Sequence, residues 1–320
     1  MKQTPKRCLV TGGAGFIGSH VVDALIASGH TVAVLDNLST GKREQVPSGV
    51  QLFRLDITQD VEPAFREFKP EAVLHFAAQV SVSVSVRNPA EDARTNILGS
   101  INVIKGAADH GAKKIVYASS GASYGPLETM PLAEHFRPLP VSAYGASKHT
   151  VEHYLRMAAR EWGIEWAALR FANVYGPRQD PHGEAGVVSI FTEKLLKGEA
   201  PTIFDDGELT RDYVYVEDVA RACVAALEAD TKNHADPIFN VSTGKGTTTN
   251  RIFALLRDAL GLQIQALKGP PRPGDVRHSI LDPSRARNEL GFEPRVGVDE
   301  GIKRTVEFFR AKSKSAVGAR

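Results

Sequence analysis

The stretch "TGGAGFIG", Thr11 to Gly18, constrains this chain more than any other. Gly12, Gly15 and Gly18 stand at G-x-x-G-x-x-G spacing between an apolar run, "RCLV", and a segment with helical periodicity, "FIGSHVVDALIASGH". Glycines so placed permit a tight turn, close backbone approach to a pyrophosphate and close helix–sheet packing. The helix that follows turns its unbonded N–H groups toward the anion. Asp36 ends the next apolar run, "TVAVLD", 24 residues after Gly12. A carboxylate there accepts hydrogen bonds from an adenosine ribose and repels a 2′-phosphate. No Arg directly follows it, so the pattern predicts NAD rather than NADP.

Further apolar runs continue the alternation: "VQLFRLD", "EAVLHFAA", "KIVYASS" and "EWAALRF". Helical patterns lie between most of them, including "DARTNILGSINVIKGAADHG" and a segment starting near Ser142. Nearly continuous apolar strands alternating with helices predict an α/β fold, a doubly wound parallel sheet covered on both faces. After about Asn173 the texture changes. "NVYGPRQDPHGEAG" reads as a long functional loop, and "GPPRPGDVR" as a second loop that a central strand cannot accommodate. Helical patterns follow near 187–197, 217–228 and 247–260, consistent with a smaller mixed α/β domain. The expected division is 1–178 for the dinucleotide and 179–320 for the substrate, with some C-terminal segments returning to the first domain. "SVSVSV" at 81–86 reads as a local loop or strand, His75 as a packed core histidine, and "SKSAVGAR" as a frayed tail.

Composition narrows the function classes. The net charge is +2 and no basic stripe is present, which argues against a nucleic-acid partner. No apolar run reaches the ~18 residues of a membrane helix, and the opening "MKQTPKRCLV" enters a strand directly, unlike a signal peptide. Cys8 and Cys223 are too few for a disulfide framework or a cysteine zinc site, and read as core filler in a reducing cytoplasm.

"SAYGASKHTVEH", Ser142 to His153, holds two incompatible chemistries. His149, Glu152 and His153 have the H-x-x-E-H spacing of some zinc peptidases. No further acidic ligand is marked on another element, so no metal is expected, and the three residues read as an outer face or interface of the helix. Tyr144 and Lys148 are four apart on one helical face, and Ser119 and Ser120 end the strand before them. In a doubly wound sheet the ligand crevice lies at the carboxyl ends of the strands. A free tyrosine titrates near ~10 and is a poor base at neutral pH. Positive charge from Lys148 and an oxidised nicotinamide is expected to lower that value by about 1–3 units for each close charge. Tyr144 can then accept a hydroxyl proton, with Ser120 holding the substrate oxygen and Ser119 as the neighbouring alternative.

With these residues in place the chain resembles the extended short-chain dehydrogenases/reductases, and within them the UDP-glucose (UDP-galactose) 4-epimerases. "TGGAGFIGSH", "DNLSTG", Asp56-Ile57, "HFAAQ", Asn96, "YGASK", "NVYGPRQ", "TRDYVYVEDVA" and "RPGDVRHSILDPSRA" occur in family order over nearly the whole chain. The resemblance implies NAD contacts from Gly12, Gly15, Phe16, Ile17, Gly18, Asp36, Asn37, Asp56, Ile57, Phe76, Ala77, Ala78, Asn96 and Lys148. It implies a catalytic set of Ser120, Tyr144 and Lys148. It implies a UDP-sugar site drawn from Ser120, Tyr144, Asn173, Val188, Arg211, Arg272, Asp275 and Ser279; paired Arg forks suit a diphosphate. Val80 stands where some relatives carry a lysine, so that contact is lost.

The implied reaction is UDP-hexose 4-epimerisation by transient oxidation at C4, in a homodimer paired through helices at about 92–110 and 142–161. Related dehydratases and decarboxylases carry an acid just after the strand-end Ser or Thr, whereas Gly121, Ala122 and Ser123 follow here. A 2-epimerase, a simple reductase and a non-catalytic NAD-binding scaffold are the alternatives, and the intact Ser120/Tyr144/Lys148 set opposes the scaffold. Ser279 is seven residues beyond Arg272, the family's position beside C2 of the sugar; its small size leaves room for an acetamido group.

Overall fold

The computed structural model describes residues 4–182, 186–271 and 276–318. Its first half runs β1 (Arg7–Thr11), α1 (Phe16–Ala27), β2 (Thr31–Leu35), β3 (Gln51–Phe53), α2 (Glu62–Phe68), β4 (Ala72–His75), α3 (Val82–Arg87), α4 (Pro89–Ala93), α5 (Gly99–Asp109), β5 (Lys114–Ser120), α6 (Ala143–Trp162) and β6 (Glu165–Phe171). The second half adds β7 (Asn173–Tyr175), α7 (Val187–Leu196), β8 (Thr202–Phe204), β9 (Thr210–Tyr215), α8 (Val216–Glu228), β10 (Ile238–Val241), β11 (Gly246–Thr248), α9 (Thr249–Leu260), β12 (Leu267–Gly269), β13 (His278–Ser279), α10 (Ser284–Leu290) and α11 (Val298–Gly318).

Seven parallel strands form the central sheet in the order β10-β6-β5-β4-β1-β2-β3. Their uninterrupted apolar character follows from burial on both faces. Val10, Leu74, Val116 and Leu169 face one apolar layer, which α1 and α8 close; Leu9, Val73, Ile115 and Ala168 face the other, with Val103 of α5 and Val151 of α6. The strand order reverses between β1 and β4. Phe76 N–H donates to the Thr11 carbonyl at 3.0 Å and Ala77 N–H to Thr11 Oγ1 at 3.3 Å, so the loops after these two strands abut at the switch point. Ligands of doubly wound sheets bind there.

Beyond β6 the chain builds a second core. β7, β11 and β13 all pair with β9, and β12 pairs with β8. Tyr175, Phe191, Phe253, Leu256, Ile302 and Val306 pack beneath them. β10 nonetheless pairs with β6, and α8 packs on α1, so this part of the second half belongs to the central sheet's layers.

Three local expectations are corrected. "SVSVSV" is not loop or strand: Val82–Arg87 is helical, Ser81 Oγ caps it by accepting from Val84 N–H at 2.9 Å, and Ser85 Oγ accepts from Tyr144 N–H at 3.1 Å. Capping and packing against α6 override the strand-like alternation. The chain from Val298 stays helical to Gly318 rather than fraying at "SKSAVG", with Ile302, Val306 and Phe309 anchoring its inner side. The opening of the Pro/Gly-rich loop, Asn173–Tyr175, is a strand on β9.

Candidate active site

The glycine turn is built to be approached closely. Gly12 has φ +70°, and a Cβ there would lie 2.6 Å from the Ala77 backbone nitrogen; a Cβ on Gly18 would run into the Gly12 carbonyl. Only glycine gives that conformation and that clearance cheaply. Gly15 begins α1 with no side-chain cap, and no acidic residue sits in its first turn, so the positive end of the helix faces the crevice. Asp36, 6% exposed, follows β2; its Oδ2 accepts from Ala14 N–H at 3.0 Å and its Oδ1 from Leu38 N–H at 2.8 Å. These bonds hold the carboxylate beside the glycine turn. Asn37 Nδ2 donates to Asp56 Oδ2 at 2.8 Å. Burial tends to raise the Asp56 carboxyl, but hydrogen bonds from Thr58 and Asn37 leave it below the usual carboxylate range. Ile57 is buried against Gly99, and Phe76 stacks on Phe171 with ring centres 6.4 Å apart. Glycine cradle, uncapped helix end and the Asp36 carboxylate beside them together fit a dinucleotide lacking a 2′-phosphate.

The helix of the two chemistries, α6, starts at Ser142, whose Oγ accepts from Gly145 N–H at 3.1 Å, and stops at Gly163 in the left-handed region. Lys148 is 4% exposed; its Nζ donates to the Ala118 carbonyl at 2.9 Å and lies 5.9 Å from the Tyr144 ring centre and 5.0 Å from that of Tyr117. Burial draws the Lys148 ammonium down to about 8, opposed by the Asp92 carboxylate. The Ser120 side chain lies close enough to Tyr144 to favour its phenolate. Its Oγ also accepts from Ala122 N–H at 3.1 Å, which fixes its rotamer. The structure thus brings Ser120, Tyr144 and Lys148 together. Among the chain's own groups, burial raises the Tyr144 phenol, Ser120 opposes that rise, and the Asp92 charge adds to it. Low-dielectric burial disfavours phenolate more than the chain's own groups favour it.

Ser119 and the H-x-x-E-H residues are also resolved. Glu152 is not on an outer face; it is fully buried. Its Oε1 accepts from Ser119 Oγ at 2.7 Å and Arg170 Nε at 2.9 Å, and its Oε2 from Arg170 Nη2 at 2.7 Å. His149 Nδ1 lies 2.8 Å from Oε2. Ser119 is therefore engaged behind the site, which leaves Ser120 at its front. Among the described residues, no group of three or more His, Cys, Asp or Glu is arranged to hold a metal. His75 is a core residue, 2.6 Å from Thr11 Oγ1 and 2.8 Å from Ser100 Oγ, and burial followed by the Lys148 charge draws it down to about 3.

The sequence placed Glu152 on the wrong face and left Arg170 and Asp92 unmarked, although a signal for each was present. Tyr144, Lys148 and Glu152 recur every four residues and share a face, Arg170 is a charge inside an otherwise apolar run of its strand, and Asp92 precedes Asn96 by one turn. Asn96, in a π-helical turn at Arg94–Leu98, is 1% exposed. Its Oδ1 accepts from Gln79 N–H at 2.8 Å, and its Nδ2 reaches Gln79 O, Asp92 Oδ1 and Ser147 Oγ at 2.9, 3.1 and 3.2 Å. That amide is committed to clamping the loop after β4 onto α6.

Of the expected sugar-nucleotide residues, β9 gathers three: Asn173 pairs with Tyr213 through β7, and Ser279 pairs with Arg211 through β13. Arg211 Nη1 donates to the Thr210 and Val276 carbonyls at 2.9 and 2.7 Å. Val188 is corrected: it is 1% exposed and packs in the second apolar core, so its contribution is to that core. Arg272 and Asp275 lie outside the described residues.

The family model of the NAD dependent epimerase/dehydratase family matches residues 8–242. The UDP-glucose 4-epimerase of Mycolicibacterium smegmatis is 45% identical over 315 residues, spanning 96% of this chain and all of that protein. The crystal structure of a UDP-glucose 4-epimerase from Thermotoga maritima with UDP-glucose aligns with a TM-score of 0.92 at 49% identity, over 96% of this chain and 99% of that one. A UDP-N-acetylglucosamine 4-epimerase from Methanobrevibacter ruminantium M1, in complex with UDP-N-acetylmuramic acid, aligns with a TM-score of 0.91 at 36% identity, over 97% of this chain and all of that one. On these matches and on the geometry above, the chain belongs to the NAD dependent epimerase/dehydratase family.

Proposed function

We propose that the protein is an NAD-dependent UDP-hexose 4-epimerase. The observation that carries the reading is the convergence of Ser120, Tyr144 and Lys148 at the carboxyl end of β5, beside the glycine cradle of the switch point. NAD, held at the glycine cradle and Asp36, would supply the two-electron oxidation at C4 and its reversal. Tyr144 accepts the 4-hydroxyl proton and returns it after the 4-keto sugar has turned in the pocket. Ser120 positions that oxygen, and Lys148 stabilises the phenolate. Asn173, Arg211, Arg272 and Asp275 hold the UDP, so the keto sugar stays bound while its hexose ring turns. Gly121, Ala122 and Ser123 supply no acid for chemistry at C5 or C6. Conversion of UDP-galactose to UDP-glucose by purified enzyme, with no added reductant, tests the reading; consumption of external NADH during turnover would contradict it.

The residues to about 178 serve the dinucleotide, together with α8 and β10, and most of the remainder serves the sugar nucleotide. The site of action is the cytoplasm, where the free, buried Cys8 and Cys223 stay reduced. Among the described residues no helix is long and apolar enough to cross a membrane. The assembly is a two-fold homodimer through α5 and α6. Leu98, 57% exposed at the start of α5, and Trp162, 40% exposed at the end of α6, are apolar surface that pairing would cover. A monomer mass by light scattering at micromolar protein would exclude it.

Substrate breadth follows from Ser279, which β13 sets beside Arg211. A phenol at this position would crowd an acetamido group, and overpacking costs about 1–3 kcal/mol. The enzyme is expected to interconvert UDP-GlcNAc and UDP-GalNAc as well as the unsubstituted pair. Ser279→Tyr should depress kcat/KM for the N-acetyl pair by about 10–100-fold and spare the other. Equal ratios for both pairs in wild type and variant would remove Ser279 as the gate.

A further inference from the structure

The segment "NVYGPRQ", Asn173 to Gln179, leaves β7 and crosses at once to the helix of the glycine cradle, α1. Gly176, at φ +146°, turns the chain; a Cβ there would lie 2.7 Å from Val216 Cγ1. The Pro177 carbonyl then meets His20 Nε2, in the second turn of α1, at 3.0 Å. A carbonyl only accepts, so His20 carries its proton on Nε2. Burial draws the His20 ring down to about 4, which keeps it neutral at pH 7. The next residue, Arg178, pairs its Nη2 with Asp23 Oδ2 at 2.7 Å, one helical turn beyond His20. Asp180 Oδ2 lies 3.7 Å from Lys42 Nζ, and Lys42 N–H donates to the Ala14 carbonyl inside the glycine turn at 2.9 Å. The loop after β7 therefore grips α1 and the segment after β2, on both flanks of the cradle.

Arg178 adopts φ +69°, the left-handed region. That conformation costs a non-glycine residue energy and persists where surrounding contacts impose it. The Arg178–Asp23 side chains are 27% and 42% exposed, and ion pairs so exposed add little to global stability. Their effect is local, on the seating of this loop. We propose that His20 and the Arg178–Asp23 pair are positioning residues for the cofactor: they latch the loop after β7 onto α1 and hold NAD in the crevice between turnovers. The inference rests on the reading that NAD occupies the glycine cradle. An enzyme that returns its own hydride depends on such retention, because NADH lost at the keto stage takes with it the reductant that completes the cycle.

The test is NAD retention by the holoenzyme. The protein is diluted into NAD-free buffer and desalted at intervals, and the NAD still bound is measured after denaturation. His20→Ala leaves the Pro177 carbonyl unpaired and should speed NAD loss by about 10-fold. His20→Gln, which keeps an N–H donor, should bring the rate back toward wild type. Asp23→Ala, Arg178→Ala and the double variant should each speed the loss by about 2–5-fold and to the same extent, because all three break one contact. Activity that fades on standing should return when NAD is added, which unfolding would not allow. NAD loss at the wild-type rate in folded His20→Ala, equal acceleration in His20→Gln and His20→Ala, or additive effects of Asp23→Ala and Arg178→Ala would overturn the proposal and leave the epimerase reading standing. A wild-type protein that takes up no NAD would overturn both, so the two failures are distinguishable.

Discussion

Tyr144→Phe is expected to fold normally, to bind NAD and UDP-sugar, and to lose at least about 10²-fold in kcat, the low end for removal of a general acid–base group. The substitution deletes one hydroxyl, the proposed acceptor of the 4-OH proton, which lies near Ser120. The ring remains above Lys148 at the end of β5, so packing is preserved. KM should change little, since the phenol contributes to the transition state more than to ground-state binding. Initial rates with UDP-galactose, alongside calorimetric UDP binding, separate the two effects. A folded variant turning over at the wild-type rate would end the mechanism.

Glu152→Gln is expected to cost about 3–5 kcal/mol of stability, the range for stranding one member of a buried ion pair. Arg170 is 2% exposed and bidentate to Glu152, so the variant leaves a guanidinium inside the protein without its counter-charge. Burial alone would raise the Glu152 carboxyl; hydrogen bonds from His149, Arg170 and Ser119 hold it instead at about 2. A carboxyl depressed on folding stabilises above its unfolded value and loses that contribution as pH falls through its folded value. The wild-type contribution should therefore fade between about pH 4.5 and 2, and the variant should lack that slope. Replacing both partners with apolar residues, Glu152→Leu with Arg170→Met, should recover much of the loss, because no charge is left unpaired. Matching denaturant midpoints for wild type and Glu152→Gln would show that the pair carries no net stability.

The parts of the fold that could be read in the sequence were those specified by short, repeated physical constraints. Strands buried on both faces must be apolar throughout, and the runs from Cys8, Val32, Ala72, Ile115 and Trp166 were. The glycine turn could be read because no other residue fits beside Ala77 or the Gly12 carbonyl. "SVSVSV" misled because its alternation is a two-residue signal, whereas Ser81 capping and the Ser85 contact to Tyr144 involve groups three and 59 residues away. The H-x-x-E-H spacing misled for a similar reason: the helix periodicity that aligned His149 with His153 also carried Glu152 inward, in step with Tyr144 and Lys148.

By itself the sequence determined the layered α/β class, the glycine cradle with Asp36, and the pairing of Tyr144 with Lys148, since each depends on residues near in the chain or on one helix face. Tertiary structure alone decided which serine faces the site. Ser119 and Ser120 are chemically identical neighbours pointing to opposite sides of β5, and only the placement of Glu152 from α6 and Arg170 from β6 engages the first and leaves the second to Tyr144. It also decided the charge state beneath the tyrosine. A lysine titrates according to its solvation, and Lys148 leaves water only when α6 packs against β5 and its Nζ meets the Ala118 carbonyl. It placed Ser279 beside Arg211 as well, because β13 and β9 meet only once the second core has closed around Tyr175 and Phe253.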